Sequence, residues 1–268
     1  MRIVALLAVS IWIAFATGPL LWAALISLRS YVDAFSIPIQ FSAALTFDHY
    51  VQLWSVSGFS GNAINTILLT LGTVTISLTI GSLAAYALSR TNHRVGLILL
   101  LVALSFRALP HAALLPAFVT IFESLGVRGS LLPLMCVLVA VNQPFTIWML
   151  RAFFLAVPRD LDDAARVDGC NQFQALIRVI LPVMGPGLIT TGLFSFLLAY
   201  NDFLLSSALT NAENMTMPVA IASAIQADSE ALLMQGIAGS ISITIPLIIL
   251  IAIFQRHIVS GLTQGAVK

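Results

Sequence analysis

Six stretches of this chain, at about residues 3–28, 63–88, 95–122, 131–154, 183–206 and 237–255, run apolar with no more than one charged side chain apiece. A bilayer core about 30 Å thick is crossed by roughly 20 helical residues, so each stretch is long enough to span one. The composition agrees. Hydrophobic residues make up 59% of the 268 and charged residues 9%, against roughly 25% charged in an average soluble domain. A surface so short of charge cannot face water all round. The expected fold class is therefore all-α, a polytopic membrane protein of six transmembrane helices, with residues 1–268 forming a single transmembrane domain.

The first stretch begins Met1-Arg2 and carries Ala14-Phe15-Ala16, which is how a secretory signal with a cleavage site looks. Its apolar run continues to Leu28, longer than such a signal needs, and is read as a retained span. Gly72, Gly81, Gly192, Gly236 and Ser240 lie in or beside spans, either as close helix contacts or simply because glycine is common there. Orientation follows the positive residues of short loops. With the N-terminus inside, Arg2, Arg90, Arg94, Arg151, Arg159, Arg166, Arg178, Arg256 and Lys268 are cytoplasmic, and only Arg29 and Arg128 lie outside. Both termini are then cytoplasmic. Arg107 falls inside the third span, where it has to face protein or water; it touches solute, pairs with a carbonyl or snorkels, and the structural reading is favoured. Pro110 and Pro116, with His111 beside the first, predict a kink in that span.

One cytoplasmic segment, residues 158–182 between spans four and five, is too polar for lipid. It reads as two short helices and a turn. Asp160 is a candidate cap of the first helix, with Asp162 and Asp163 in its first turn and Leu161, Ala164 and Ala165 as a small apolar stripe. Gly169 stands where a helix ends. Asn171 with Gln174 forms a capping box for the second helix, whose apolar face is Phe173, Leu176, Ile177 and Ile180, and Pro182 closes it. Such a pair suits docking into a partner's groove. A helix lying on the membrane surface accounts for the second half but poorly for the acidic first half.

The chemistry the chain lacks narrows its function. A phosphate-binding loop of the Walker type needs a lysine, and the only lysine is Lys268. Cys136 and Cys170 fall in a span and a cytoplasmic loop, too far apart in this topology for a disulfide, and no Cys/His cluster offers a metal site. Histidines at 49, 93, 111 and 257 are scattered, so a membrane-embedded enzyme finds no cluster at one depth. With net charge +1, nucleic acid is not an expected partner. An ion-coupled secondary transporter is the remaining alternative. It usually needs mid-membrane carboxylates, and here only Arg107 is ionisable at depth.

Asp163-Ala164-Ala165, three residues, Gly169, nine residues, then Val179-Ile180-Leu181-Pro182 resembles the Glu-Ala-Ala…Gly…Ile-x-Leu-Pro motif of ABC importer permeases, with Asp for Glu and Val for Ile. From about Leu45 onward the chain is similar to the carbohydrate-uptake branch, the maltose-type second permease. The matching stretches are Ala85-Tyr86-Ala87-Leu88-Ser89-Arg90, Pro144-Phe145 through Arg151-x-Phe153-Phe154, Val157-Pro158, Tyr200-Asn201-Asp202-Phe203 and Gly261-Leu262-Thr263-x-Gly265-x-Val267-Lys268. Tyr200 stands where that branch usually has Trp.

The resemblance implies a permease subunit for a sugar or sugar-like solute, paired with a second permease subunit, an ABC ATPase dimer and an extracytoplasmic solute-binding protein in a bacterial or archaeal cytoplasmic membrane. It implies no catalysis and no cofactor in this chain, ATP and Mg being held by the ATPase. The segment would be the coupling helix, with Asp163, Ala164, Ala165, Gly169, Leu181 and Pro182 as ATPase-coupling residues, Asp163 meeting a basic partner residue and Gln264 reaching the same interface. The 207–235 loop would touch the binding protein. Rings stack on sugars and amides bond hydroxyls, so Asn65, Asn142, Gln143, Tyr200 and Asn201 are the candidates for the solute path, each equally suited to helix packing.

Overall fold

A computed structural model describes residues 2–38, 44–91, 93–107 and 110–264, without the side chains of residues 2, 3, 93 and 257–264. All regular structure among them is helical. Four helices are long and apolar enough to cross a membrane: α1 (Arg2–Ser27), α4 (Phe59–Arg90), α7 (Leu131–Ala156) and α14 (Glu230–Gln264), after the short α2 (Tyr31–Ala34) and α3 (Asp48–Ser55). Two further crossings arise if each bent pair is one span. One pair is α5 (His93–Arg107) with α6 (His111–Ser124); the other is the run Gln172–Val183 with α11 (Gly185–Tyr200), each bent by 82°. The expected kink in the third span thus stands at Pro110, the N-cap of α6, whereas Pro116 is carried inside a continuous helix.

The helix within the stretch 183–206, expected as a fifth span, is α11, shorter than that stretch. It stops at Tyr200, and α12 (Leu204–Leu209) starts separately because the Asp202 carboxylate accepts from both the N–H and the hydroxyl of Ser206, at 2.9 and 3.0 Å. Pro186 sits in the first turn of α11, where a missing N–H costs no helical bond. Helix α7 ends at Ala156 because Pro158 forces Val157 into extended backbone, with ψ 121°.

The chain divides into two compact units, Met1–Ile64 with Met215–Leu250, and Asn65–Asn214 with Ile251–Lys268. In the first, α13 (Met217–Gln226) packs on α14 across Gly236, where a Cβ would come within 2.6 Å of Ile225 Cγ1. Small residues bring the two backbones together there. Gln235 bonds Ser57 at 2.6 Å and Gln52 at 3.3 Å, and the Trp54 ring meets Phe59 edge-on at 5.1 Å. The large apolar side chains of α1 from Val4 to Trp22 are exposed, as suits a helix whose surroundings are hydrocarbon.

In the second unit α4, α7 and α11 pack side by side and carry two apolar clusters separated by a polar belt. One cluster joins Leu69, Leu134, Val137, Leu138, Ala199, Leu205 and Leu209. The other joins Ala85, Tyr86, Leu150, Phe154, Val157, Leu176, Ile180 and Met184. Between them lie Thr70, Thr73, Ser77, Asn142, Thr146, Thr191 and Ser195, all buried. Close approach is again set by small residues: a Cβ on Gly81 would lie 2.8 Å from Thr146 Cγ2, and one on Gly192 3.1 Å from Leu78 Cδ1.

Candidate functional site

The polar segment after α7 folds as short helices held by their own capping chemistry. Helix α8 (Asp160–Val167) opens at Arg159, and Asp160 is its first helical residue and makes no cap bond. Asp160, Asp162 and Asp163 all lie in the first turn, where negative charge is favoured. The C-terminus is a Schellman motif. Cys170 N–H reaches Ala165 O at 2.9 Å, and Gly169 N–H reaches Arg166 O at 3.0 Å. Closing it puts Gly169 at φ +85°, a conformation that costs other residues about 1–2 kcal/mol.

Asn171 then caps α9 (Gln172–Ala175) in a reciprocal capping box, Gln174 N–H to Asn171 Oδ1 at 2.8 Å and Asn171 N–H to Gln174 Oε1 at 3.0 Å. Residues Leu176–Ile180 form one π turn, so Leu181 N–H bonds Leu176 O, five residues back. Pro182, in α10 (Leu181–Val183), has no N–H to continue the ladder, and the chain turns at Met184.

The three aspartates of the first turn do different work. Asp162, only 4% exposed, points inward and is clasped by the end of α4. Tyr86 donates its hydroxyl to Asp162 Oδ1 at 2.5 Å, and Arg90 Nη2 pairs with Oδ2 at 2.8 Å. Arg90 Nη1 also donates to the carbonyls of Phe154 and Val157, at 3.1 and 3.4 Å, at the C-terminal end of α7. Its guanidinium sits 5.5 Å from the Tyr86 ring centroid. One carboxylate thus ties α8 to α4, and through Arg90 to α7. Asp163 is exposed and pairs with Arg166 at 3.1 Å.

Around the clasp, Ala165, Ala175, Leu176 and Ile180 are buried. Ala164, Val167, Phe173 and Ile177 are exposed, Val167 by 87%. The apolar face expected of the second helix is therefore divided, because the π turn rotates Leu176 and Ile180 inward while Phe173 and Ile177 stay outside. The outward set is a small apolar and acidic surface on a segment otherwise rigidly tied to two long helices.

The solute-path candidates do not converge. Asn65 donates to Glu213 O at 3.3 Å, and Asn201 closes α11 by donating to Leu197 O at 3.0 Å. Tyr200 is buried and stacks on Phe196 at 5.2 Å. Asn142 and Gln143 belong to the belt. Gln143 donates to Ser77 O at 3.3 Å, while Asn142 Nδ2 and Gln143 Oε1 are buried without a partner among the described residues. Leu181 is half-buried, Pro182 exposed. Gln264 ends α14, and its side chain lies outside those described. Cys136 is exposed and Cys170 half-buried, both free.

Two features were missed from the sequence. The inward role of Asp162 has a signal in hindsight, Tyr86 and Arg90 one turn apart at a helix end, opposite an acidic first turn. The belt has one in Thr66, Thr70, Thr73 and Ser77, a polar stripe at helical spacing in an apolar span.

Comparison with known proteins gives a consistent answer. Residues 77–264 match the family described as binding-protein-dependent transport system inner membrane component. The chain is 36% identical to the trehalose transport system permease protein SugB of Mycobacterium tuberculosis, over 96% of this chain and 94% of that protein. It is 34% identical to the diacetylchitobiose uptake system permease protein DasC of Streptomyces coelicolor, over 86% and 84% of the two chains. To the trehalose/maltose transport system permease protein MalG of Thermococcus litoralis it is also 34% identical, over 90% and 81%. Its fold is similar to a chain of a bacterial ABC transporter involved in the import of the acidic polysaccharide alginate, with a TM-score of 0.77 over 95% of each chain at 24% identity.

Proposed function

The chain belongs to the family of inner membrane components of binding-protein-dependent transport systems and is an ABC importer permease, and from that premise we propose that it forms, with a second permease subunit, the path by which a sugar or sugar-like solute enters a bacterial or archaeal cell. What supports this reading most is the extent of the match to sugar permeases, 36% identity over 96% of the chain. The ion-gradient alternative has no support among these relatives.

In this proposal each bent pair is one crossing, giving six spans in the cytoplasmic membrane with both termini inside, and residues 1–268 act as one transmembrane domain. An extracytoplasmic solute-binding protein delivers the solute to the outer side. An ABC ATPase dimer on the cytoplasmic side binds and hydrolyses Mg-ATP, and this chain converts the closure of that dimer into movement of its helices. The coupling set is Asp163, Ala164, Ala165, Gly169, Leu181, Pro182 and Gln264. Asp163 exchanges Arg166 for a basic residue of the ATPase, Ala164 enters a groove with Val167 and Phe173, and Ala165 holds the helix from beneath. The Asp162 clasp makes the segment a lever on α4 and α7. Asn65, Asn142, Gln143, Tyr200 and Asn201 remain the proposed contacts along the solute path.

The test is purification of the tagged chain from its native membranes in mild detergent, with mass spectrometry of what accompanies it. An ATPase and a second permease are expected. A chain that arrives alone, or only with copies of itself, would sink the proposal.

A further inference from the structure

Arg107 is the last described residue of α5, thirteen residues past Arg94, which at 1.5 Å per residue sets it about 20 Å along the helix from that cationic end of the span. A charge at such depth is expensive in hydrocarbon and faces protein or water instead. Its guanidinium carbon lies 4.7 Å from the centroid of the Phe145 ring. Among the described residues, Nη1 is buried with no hydrogen-bond partner, and no ion pair includes it. The ring face offsets part of the desolvation but leaves the charge un-neutralised.

Phe145 belongs to a cluster, with Trp148 at 5.9 Å and Phe194 edge-on at 6.0 Å between centroids. The Trp148 side chain is 47% exposed. The Phe145 ring is thus shared by an open indole on one hand and, on the other, a positive charge with no ion pair among the described residues, on helices of one compact unit. An indole face packs against the C–H face of a sugar ring. A guanidinium fork matches the paired oxygens of a carboxylate, sulfonate or phosphate.

Resting on the reading that this chain lines a solute path, we propose that Arg107, Phe145 and Trp148 form a contact station for a sugar-like solute that carries an anionic group. Trp148 takes the ring, Arg107 takes the anion, and Phe145 holds the guanidinium in place between passages. A cationic solute is disfavoured at the same point by the same charge.

The test uses the whole importer, purified from native membranes and reconstituted in lipid vesicles, with Cys136→Ser, Cys170→Ser and Trp148→Cys. The probes are two water-soluble methanethiosulfonates of similar size, one ending in a sulfonate and the other in a quaternary ammonium. The new thiol is expected to react with both, and the anionic reagent to be favoured by about tenfold through the local positive potential. Adding Arg107→Gln should bring that ratio to about one, and Arg107→Lys should keep it, which also covers the case of a glutamine variant that fails to assemble. No reaction in any nucleotide state would place Trp148 against lipid or protein and overturn the proposal. Equal rates for the two charges with Arg107 present would overturn it too. Co-purification of the ATPase, followed in the same samples, reports separately on the importer reading.

Discussion

Two regions of the same helical unit treat buried polar groups in opposite ways. At the corner beneath α8, the buried Asp162 forms an ion pair with the half-buried Arg90, tightened by Tyr86 and by carbonyls of α7. Midway along the same helices, Thr70, Thr73, Ser77, Asn142, Gln143 and Thr191 each bury a polar atom with no partner among the described residues, and the bonds that cross between helices are Gln143 Nε2 to Ser77 O, at 3.3 Å, and Thr146 with Ser195, at 3.1 Å. A charge held by an ion pair and by hydrogen bonds resists displacement, because alternative positions leave it orphaned in a low dielectric. Hydroxyls and amides without fixed partners lose little when neighbouring helices shift past them. On the proposed coupling role, the corner is the part that would transmit force, and the belt the part where α4, α7 and α11 would move relative to one another at least cost.

The contrast is broken most severely at the clasp. Asp162→Ala leaves the half-buried Arg90 with carbonyl partners but no counter-charge, and removing one partner of a buried pair costs up to about 3–5 kcal/mol. Loss of transport and a clear drop in the melting temperature of the assembled importer are expected. Replacing both charges by apolar residues, Asp162→Leu with Arg90→Met, should recover most of the stability. If transport returns in full with it, the clasp is only packing and not a lever. Next in size is Gly169→Val. At φ +85° the strain is in the backbone alone, since a Cβ there meets nothing within 4 Å, so the cost is about 1–2 kcal/mol. The variant should still insert, while solute moved per ATP hydrolysed falls. Unchanged coupling would count against a fixed turn.

How much of this was legible beforehand depended on how local the physics is. The reciprocal capping box at Asn171 and Gln174 and the helix end at Gly169 are decided within five residues, and both were read correctly. The choice among Asp160, Asp162 and Asp163 was not, because all three suit a helix N-terminus equally. Only the tertiary placement of Tyr86 and Arg90 selects Asp162 for burial and leaves Asp160 without a cap bond. Pro182 and Pro110 were visible as breakers, and a kink was expected at the second, but the π turn ahead of the first and the 82° size of both bends could not be read from apolar runs that look continuous. The belt stayed hidden because a threonine inside an apolar run barely lowers its hydropathy.

The belt itself offers a paired measurement of smaller size. Thr146→Val removes hydroxyl bonds to Asn142 O and Ser195 and should cost about 1 kcal/mol. Thr73→Val removes a buried hydroxyl that has no partner among the described residues and should leave stability unchanged or raise it by up to about 1 kcal/mol. Thermal unfolding of the two variants side by side decides the point. Equal losses would show that the belt is as firmly bonded as the corner, and the contrast would fail.

The smallest effect on folding is expected at Asp163, one residue from the largest. Its pair with Arg166 is i,i+3 on an exposed helix face, with side chains 70% and 56% exposed, and such pairs contribute about 0.3–0.5 kcal/mol. Asp163→Asn should therefore leave the melting temperature of the importer within error while weakening the response of its ATPase to loaded binding protein. Neighbouring aspartates in one turn would then separate cleanly, Asp162 by stability and Asp163 by coupling alone. A large loss of stability in Asp163→Asn, or full coupling retained, would remove the distinction between an inward face that anchors α8 and an outward face that meets its partner.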